Sequence, residues 1–224
     1  MDFLLDRNVD LVLDVGANEG QFARRLRERG YKGKIKSFEP VSCVFATLAD
    51  NARADRDWEV HNFALGAAPE RTTINVSDNS VFSSLLPLNE AATAYSPAAV
   101  SRRSEQIEVR TLDEVLPRPS GNIFLKIDTQ GFERQVLLGA RATLPGLCGV
   151  LMELPVMQLY QGTWCLHEAL AFMDRADFVP AQIHPVNFHS EDEVSVVEVD
   201  CLFRPRKPRL DGTSPQASCP AWPY

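Results

Sequence analysis

Apolar residues recur along this chain in two rhythms. Short, nearly unbroken runs stand at residues 11–15 (L-V-L-D-V) and 122–128 (N-I-F-L-K-I-D), with the length and branching of strands buried on both faces. A stripe at helical spacing follows each run: Phe22, Ala23 and Leu26 after the first, Val136, Leu137 and Ala140 after the second. Strand followed by helix, repeated, predicts an α/β fold built on a mostly parallel sheet.

The intervening segments fill in the order. Residues 31–38 alternate and stop at Glu39-Pro40, a second strand that proline ends. A helical stripe covers 41–54 (Val44, Phe45, Leu48), and a third strand covers 58–63. Residues 71–76 read as an extra strand, 77–80 as a turn, and 107–110 as another strand, with Thr111 capping a short helix. The polar, alanine-rich stretch running to Ser101 is expected as a mobile lid over a site. Beyond it come a short strand at 149–152 that ends at Glu153-Leu154-Pro155 and a loop of bulky groups (Met157, Leu159, Tyr160, Trp164). A helix over 167–178, a strand over 179–183 and a last strand over 194–203 complete the pattern, with His184 and His189 in a late loop. Residues 205–224 repeat proline without periodicity and are expected as a disordered tail, leaving residues 1–204 as one domain.

Composition narrows the classes. A chain of 224 residues with 45% hydrophobic residues suits a globular α/β domain. The formal net charge is −7 and no long basic run appears, which argues against a nucleic-acid partner. Five scattered cysteines, odd in number and without zinc-ligand spacing, read as reduced thiols. The first residues lack a basic leader, and no apolar run approaches the roughly twenty residues of a membrane span. A cytoplasmic protein is expected, its oligomeric state open and a homodimer among the options.

The chemistry gathers at the end of the first strand, in D-V-G-A-N-E-G. Gly16 permits a sharp turn and lets a ligand lie against bare backbone. Gly20 does so where the helix opens. Gly16 and Gly20 enclose three residues, Ala17, Asn18 and Glu19, with no middle glycine for a pyrophosphate. Acids such as Asp14 and Glu19 favour a ligand with a cationic end, such as the sulfonium of S-adenosylmethionine, over a dinucleotide. Glu39, 25 positions beyond Asp14, is placed to accept from ribose hydroxyls. The candidate cofactor contacts are Asp14, Gly16, Ala17, Asn18, Gly20, Phe22, Glu39, Pro40, Asn62, Ala64 and Asp128. Asn62 and Ala64 enter because the tip of a third strand comes near a base in such folds.

These residues resemble the FkbM-type family of S-adenosylmethionine-dependent methyltransferases. The likeness runs through L-V-L-D-V-G-A-N-E-G-Q-F, S-F-E-P, N-F-A-L-G, T-L-D, L-K-I-D-T-Q-G-F-E-R-Q-V-L-L-G-A, M-E-L-P, L-Y-Q-G and V-D-C-L-F, about residues 10–204. The K-I-D-x-x-G-x-E block is its most specific part. Gln130 departs from it, since members commonly carry an acid there. The resemblance implies a class I, Rossmann-like methyltransferase sheet of seven mostly parallel strands with helices on both faces. It also implies methyl transfer to a hydroxyl of a small-molecule or glycan acceptor, often a sugar of a glycolipid, polysaccharide or natural product.

A hydroxyl must lose its proton during transfer, so a general base is expected. Asp128 is the first candidate, at the tip of a strand the resemblance places beside the first; the other reading makes it a helix cap or the partner of Lys126. Glu153 is second, and His184 in its loop is third. Asp14 and Asp128 sharing one crevice would raise each other's pKa. Asp128 and Glu153 are ligands of the type Mg²⁺ takes, and the spacing leaves a divalent ion open. The competing class is a cofactor-binding protein of the same fold without turnover.

Overall fold

The two apolar runs pair side by side at the centre of a sheet. The computed structural model describes residues 2–77, 80–95, 101–117, 119–189 and 194–207. Its strands are β1 (Leu11–Val15), β2 (Lys34–Phe38), β3 (Trp58–His61), β4 (Ala64–Leu65), β5 (Glu70–Ser77), β6 (Ser101–Arg110), β7 (Ile123–Ile127), β8 (Gly149–Pro155), β9 (Phe178–Phe188) and β10 (Val196–Pro205). The helices are α1 (Asp2–Asp6), α2 (Gln21–Glu28), α3 (Ser42–Ala52), α4 (Glu90–Tyr95), α5 (Leu112–Val115), α6 (Glu133–Leu138) and α7 (Leu166–Arg175).

Seven strands form one sheet in the order β3-β2-β1-β7-β8-β10-β9. Neighbours are parallel except at β10, which runs antiparallel to β8 and β9. This is the class I methyltransferase arrangement the resemblance implies. Strand order reverses direction between β1 and β7, so a crevice opens at their carboxyl ends.

Alternation along each strand sends side chains to two cores. Ile123, Leu125 and Ile127 of β7 pack with Val136 and Leu137 of α6 and with Ala169, Phe172 and Met173 of α7. Phe124, between them, joins Ala23 and Leu26 of α2 and Leu48 and Ala52 of α3. Helices therefore cover both faces. Burying one such aliphatic or aromatic side chain contributes roughly 1.5–3 kcal/mol, and the central strands consist of little else.

The structure departs from the sequence expectations in four places. The extra strands are part of a second sheet, β4-β6-β5, that brings residues 64–65 beside 109–110. The expected lid contains α4, whose Ala92 is fully buried against Leu159, Tyr160 and Val197; residues 96–100 of that stretch lie outside the described residues. β9 runs to Phe188, so His184 is an exposed strand residue opposite Asp200, not a loop residue. β10 reaches Pro205, into the expected tail, of which residues 208–224 lie outside the described residues, as do 78 and 79 of the expected turn. No helix among the described residues is long and apolar enough to cross a membrane.

Candidate active site

A lysine inside an otherwise apolar strand is the least ordinary residue of β7. Lys126 sits opposite Asp14 in register and is buried. Its Nζ lies 3.1 Å from Asp14 Oδ1 and 3.5 Å from Asp128 Oδ2, and it donates to the Gly16 carbonyl at 2.9 Å. Burial opposes its charge, but the Asp14 and Asp128 carboxylates outweigh that and hold its pKa above the usual lysine range. The two acids therefore do not share an open crevice as expected: an ammonium lies between them. Asp14 is fully buried, accepts from Ser37 Oγ at 3.1 Å, and lies behind the cleft wall.

The turn after β1 follows from its glycine. Gly16 is left-handed (φ +71°), and a Cβ there would stand 1.8 Å from the Asp128 carbonyl oxygen. Only glycine lets the β1 and β7 tips approach this closely. The N–H groups of Gly16 and Ala17 donate to the Phe38 carbonyl at 3.1 and 3.0 Å, tying the turn to the end of β2. There Glu39 accepts from the N–H of Asn18 (3.0 Å) and of Val41 (2.9 Å). Burial raises its pKa to about 7 despite these two donors.

A cleft of about 340 Å³ opens above these tips. That volume lies at the small end of the ligand-site range, roughly 300–1,000 Å³. Gly16, Ala17, Asn18, Phe22, Glu39, Pro40, Ala64 and Asp128, all candidate contacts from the sequence, line it. Asp14, Gly20 and Asn62 do not. A Cβ on Gly20 would meet the Trp58 ring at 2.6 Å, so that glycine serves packing. Asn62 instead donates to the carbonyls of Glu39 and Pro40 at 2.9 and 3.0 Å, bracing the β2 tip from outside. Residues the sequence reading passed over also line the cleft: Val41, Leu65, Ile74, Leu85 and Phe132 form an apolar part, and Ser80 is bound by Asn18 Nδ2 at 3.0 Å. Of these only Ile74 stood in a strand legible from the sequence, and it and Leu65 reach the cleft through the second sheet.

Beyond Asp128 lies a cluster of acids. Glu153 on β8 pairs in register with Asp200 on β10, and Glu198 lies two residues before it. Burial, with the Asp128 charge next, holds Glu153 well above the usual carboxylate range. Glu198 is raised by burial while accepting from Asn187 Nδ2 at 2.6 Å. Gln130 separates this cluster from the cleft and lines both the cleft and a small cavity containing Glu133, Glu153 and Glu198. Glu133 braces the loop below, accepting from Thr129 N–H (2.9 Å), Thr129 Oγ1 (3.0 Å) and Gly131 N–H (3.1 Å). His184 lines neither space. Among the described residues no three His, Cys, Asp or Glu side chains are arranged to hold a metal ion.

The fold and the cleft at its switch point define a class I methyltransferase scaffold. The chain belongs to the methyltransferase FkbM domain family, whose model matches residues 14–180. A methyltransferase FkbM from Methylobacillus flagellatus is similar at 17% identity and a TM-score of 0.55; the match covers 88% of this chain but only 44% of that one. An rRNA methylase from Streptococcus thermophilus shares 11% identity with a TM-score of 0.50 over 92% of this chain and 93% of its own. TehB from Haemophilus influenzae gives 11% and 0.50, covering 91% and 60%. At these identities the likeness concerns the fold alone. No curated protein sequence matches significantly.

Proposed function

We propose that the cleft binds S-adenosylmethionine and that residues 1–204 act as one domain that methylates a hydroxyl, as on a sugar of a glycolipid, polysaccharide or natural product. The observation that carries this reading is the placement of two carboxylates at one crevice. Glu39 stands at the tip of β2 and Asp128 at the tip of β7, with β1 between them. Two strand spacings, about 10 Å, separate such tips. That suits a ligand whose ribose donates to one acid while its cationic centre lies near the other. The apolar side chains of Val41, Ala64, Leu65 and Phe132 suit a flat base.

When bound, S-adenosylmethionine supplies a methyl group on a positively charged sulfur, which leaves as a neutral thioether. Asp128 takes the proton of the attacking hydroxyl. Lys126 and Gln130 hold its carboxylate from two sides, at 3.5 and 2.9 Å. Glu153, displaced upward by burial and by Asp128, carries its proton at neutral pH and serves as a donor, so it ranks behind Asp128 as a base. His184, exposed on β9 and outside the cleft, is not assigned a role. Asp128 and Glu153 both face the Gln130 amide, at 2.9 and 3.4 Å, and among the described residues no third His, Cys, Asp or Glu completes a metal-holding set with them. No metal step is therefore proposed.

Calorimetry with S-adenosylhomocysteine tests the cofactor assignment, with micromolar binding expected; no heat at millimolar ligand sinks it. An acceptor found by mass shift then separates enzyme from silent binder. Asp128→Asn should cut transfer at least a hundredfold, at the low end for a lost general base. A binder without turnover would give no mass shift with any acceptor class while still taking up the ligand.

A further inference from the structure

Gln130 is the residue that joins the two halves of the site. Its backbone is left-handed (φ +56°), a costly conformation for a residue with a Cβ unless its surroundings impose it. Ser84 Oγ donates to its carbonyl at 2.6 Å, pinning that backbone to the segment after β5. The side chain is committed at both ends. Tyr160 OH donates to Oε1 at 2.9 Å. A carboxylate only accepts, so Nε2 faces Asp128 and the amide oxygen is left for the Tyr160 hydroxyl. Nε2 donates to Asp128 Oδ1 at 2.9 Å and approaches Glu153 Oε1 at 3.4 Å.

We propose that Gln130 is a positioning residue that acts through Asp128, fixing its carboxylate so that the cleft prefers a cationic centre at the methyl position. This rests on the cofactor reading above. Three features support it. Asp128 is about one-third exposed and hangs from a turn, held from its own strand only by Lys126 at 3.5 Å. Lys126 binds only its Oδ2, leaving Oδ1 for Gln130. A neutral amide holds Asp128 without cancelling its charge, which a second ammonium would do. An acid at this position would place a further carboxylate against Asp128 and Glu153.

The test compares two ligands by calorimetry: S-adenosylhomocysteine, whose sulfur is neutral, and sinefungin, which carries an ammonium where the sulfonium methyl sits. Their affinity ratio reads the negative charge at that point. In Asp128→Asn the preference for sinefungin should fall about tenfold, a Coulomb effect expected for one charge at close range. Gln130→Met should lower it about threefold in the native background and change nothing further in the Asp128→Asn background. Tyr160→Phe should act in the same direction and more weakly. Gln130→Glu, of nearly the same shape, should raise the preference as pH rises and the new acid ionises.

A role in packing alone moves both affinities together and leaves the ratio untouched, which overturns the proposal. So does a Gln130→Met effect of equal size with and without Asp128. Binding of neither ligand by the native chain instead defeats the cofactor reading itself and takes this assignment with it. Thermal melts of each variant separate misfolding from a change in preference, and Tyr160→Phe, with and without Asp128→Asn, keeps the test decisive if Gln130→Met does not fold.

Discussion

Glu39 brings a dependence on pH into the cleft itself. Burial raises its pKa from 4.5 to about 7, so across that interval the folded chain holds a proton that the unfolded chain has lost. Stability of the ligand-free protein should therefore fall as pH rises through this window, by roughly 3 kcal/mol for a shift of this size. Glu133, also raised to about 7 by burial, falls in the same window. Glu39→Gln should reduce the slope without abolishing it, as urea melts at several pH values would report. On the proposed reading ligand binding runs the other way, because ribose hydroxyls would donate to the ionised acid. Affinity for S-adenosylhomocysteine should weaken about tenfold from pH 8 to 6, and calorimetry in buffers of different ionisation enthalpy should detect proton release. An affinity flat across that range would remove Glu39 from the ribose role.

Lys126 offers a second test at the same scale. Lys126→Met leaves Asp14 buried without its cation and should cost about 3–5 kcal/mol in chemical denaturation. A loss below 1 kcal/mol would mean the ion pair is weaker than its burial suggests. The glycine turn and the Asp14, Glu39 and Asp128 strand tips were readable from spacing alone. The role of Lys126 was not, because its partners come from two strands that only the folded order makes adjacent. Asn62 could be read either as a base contact or as a turn residue, and its amide turns back to the Glu39 and Pro40 carbonyls, a choice made by local hydrogen bonding.

Elements were legible in proportion to how local their signals are. Thr111 was read as an N-cap, and it forms a complete capping box. Its side chain accepts from the Glu114 N–H at 3.2 Å, and Glu114 Oε2 accepts from the Thr111 N–H at 3.1 Å. Thr111→Ala should cost about 1 kcal/mol in a thermal melt and leave S-adenosylhomocysteine affinity unchanged. Loss of ligand affinity would tie α5 to the cleft. β9 runs five residues past the expected 179–183, through Pro185. On an edge strand a missing N–H costs little, and β9 is the sheet's outer strand. Two strands of the second sheet, at 71–76 and 107–110, were legible, but the pairing of β4 with β6 that completes it leaves no trace in periodicity.

At the scale of the molecule, the strand order settles where ligands sit, and that order came from the resemblance rather than from apolar rhythm. The sheet pairs β1 with β7 across more than a hundred residues of sequence, so the crevice does not exist until those distant strands meet. Ligand that binds only the folded chain should raise its melting point, by the equivalent of about 2.7 kcal/mol at a hundredfold excess over the dissociation constant. A melting point indifferent to saturating S-adenosylhomocysteine would contradict the proposed cleft.

Gln130 stands as a partition wall with a cofactor seat on one side and an acid-lined chamber on the other. Every residue lining the cleft precedes position 133, whereas Glu153 and Glu198 of the chamber are supplied by β8 and β10. On the proposed reading, the donor's seat is thus walled entirely by residues up to Phe132, while acids beyond the partition come from strands later in the chain. A substitution in β8 or β10 can reset the charge behind Gln130 without touching a single wall of the seat.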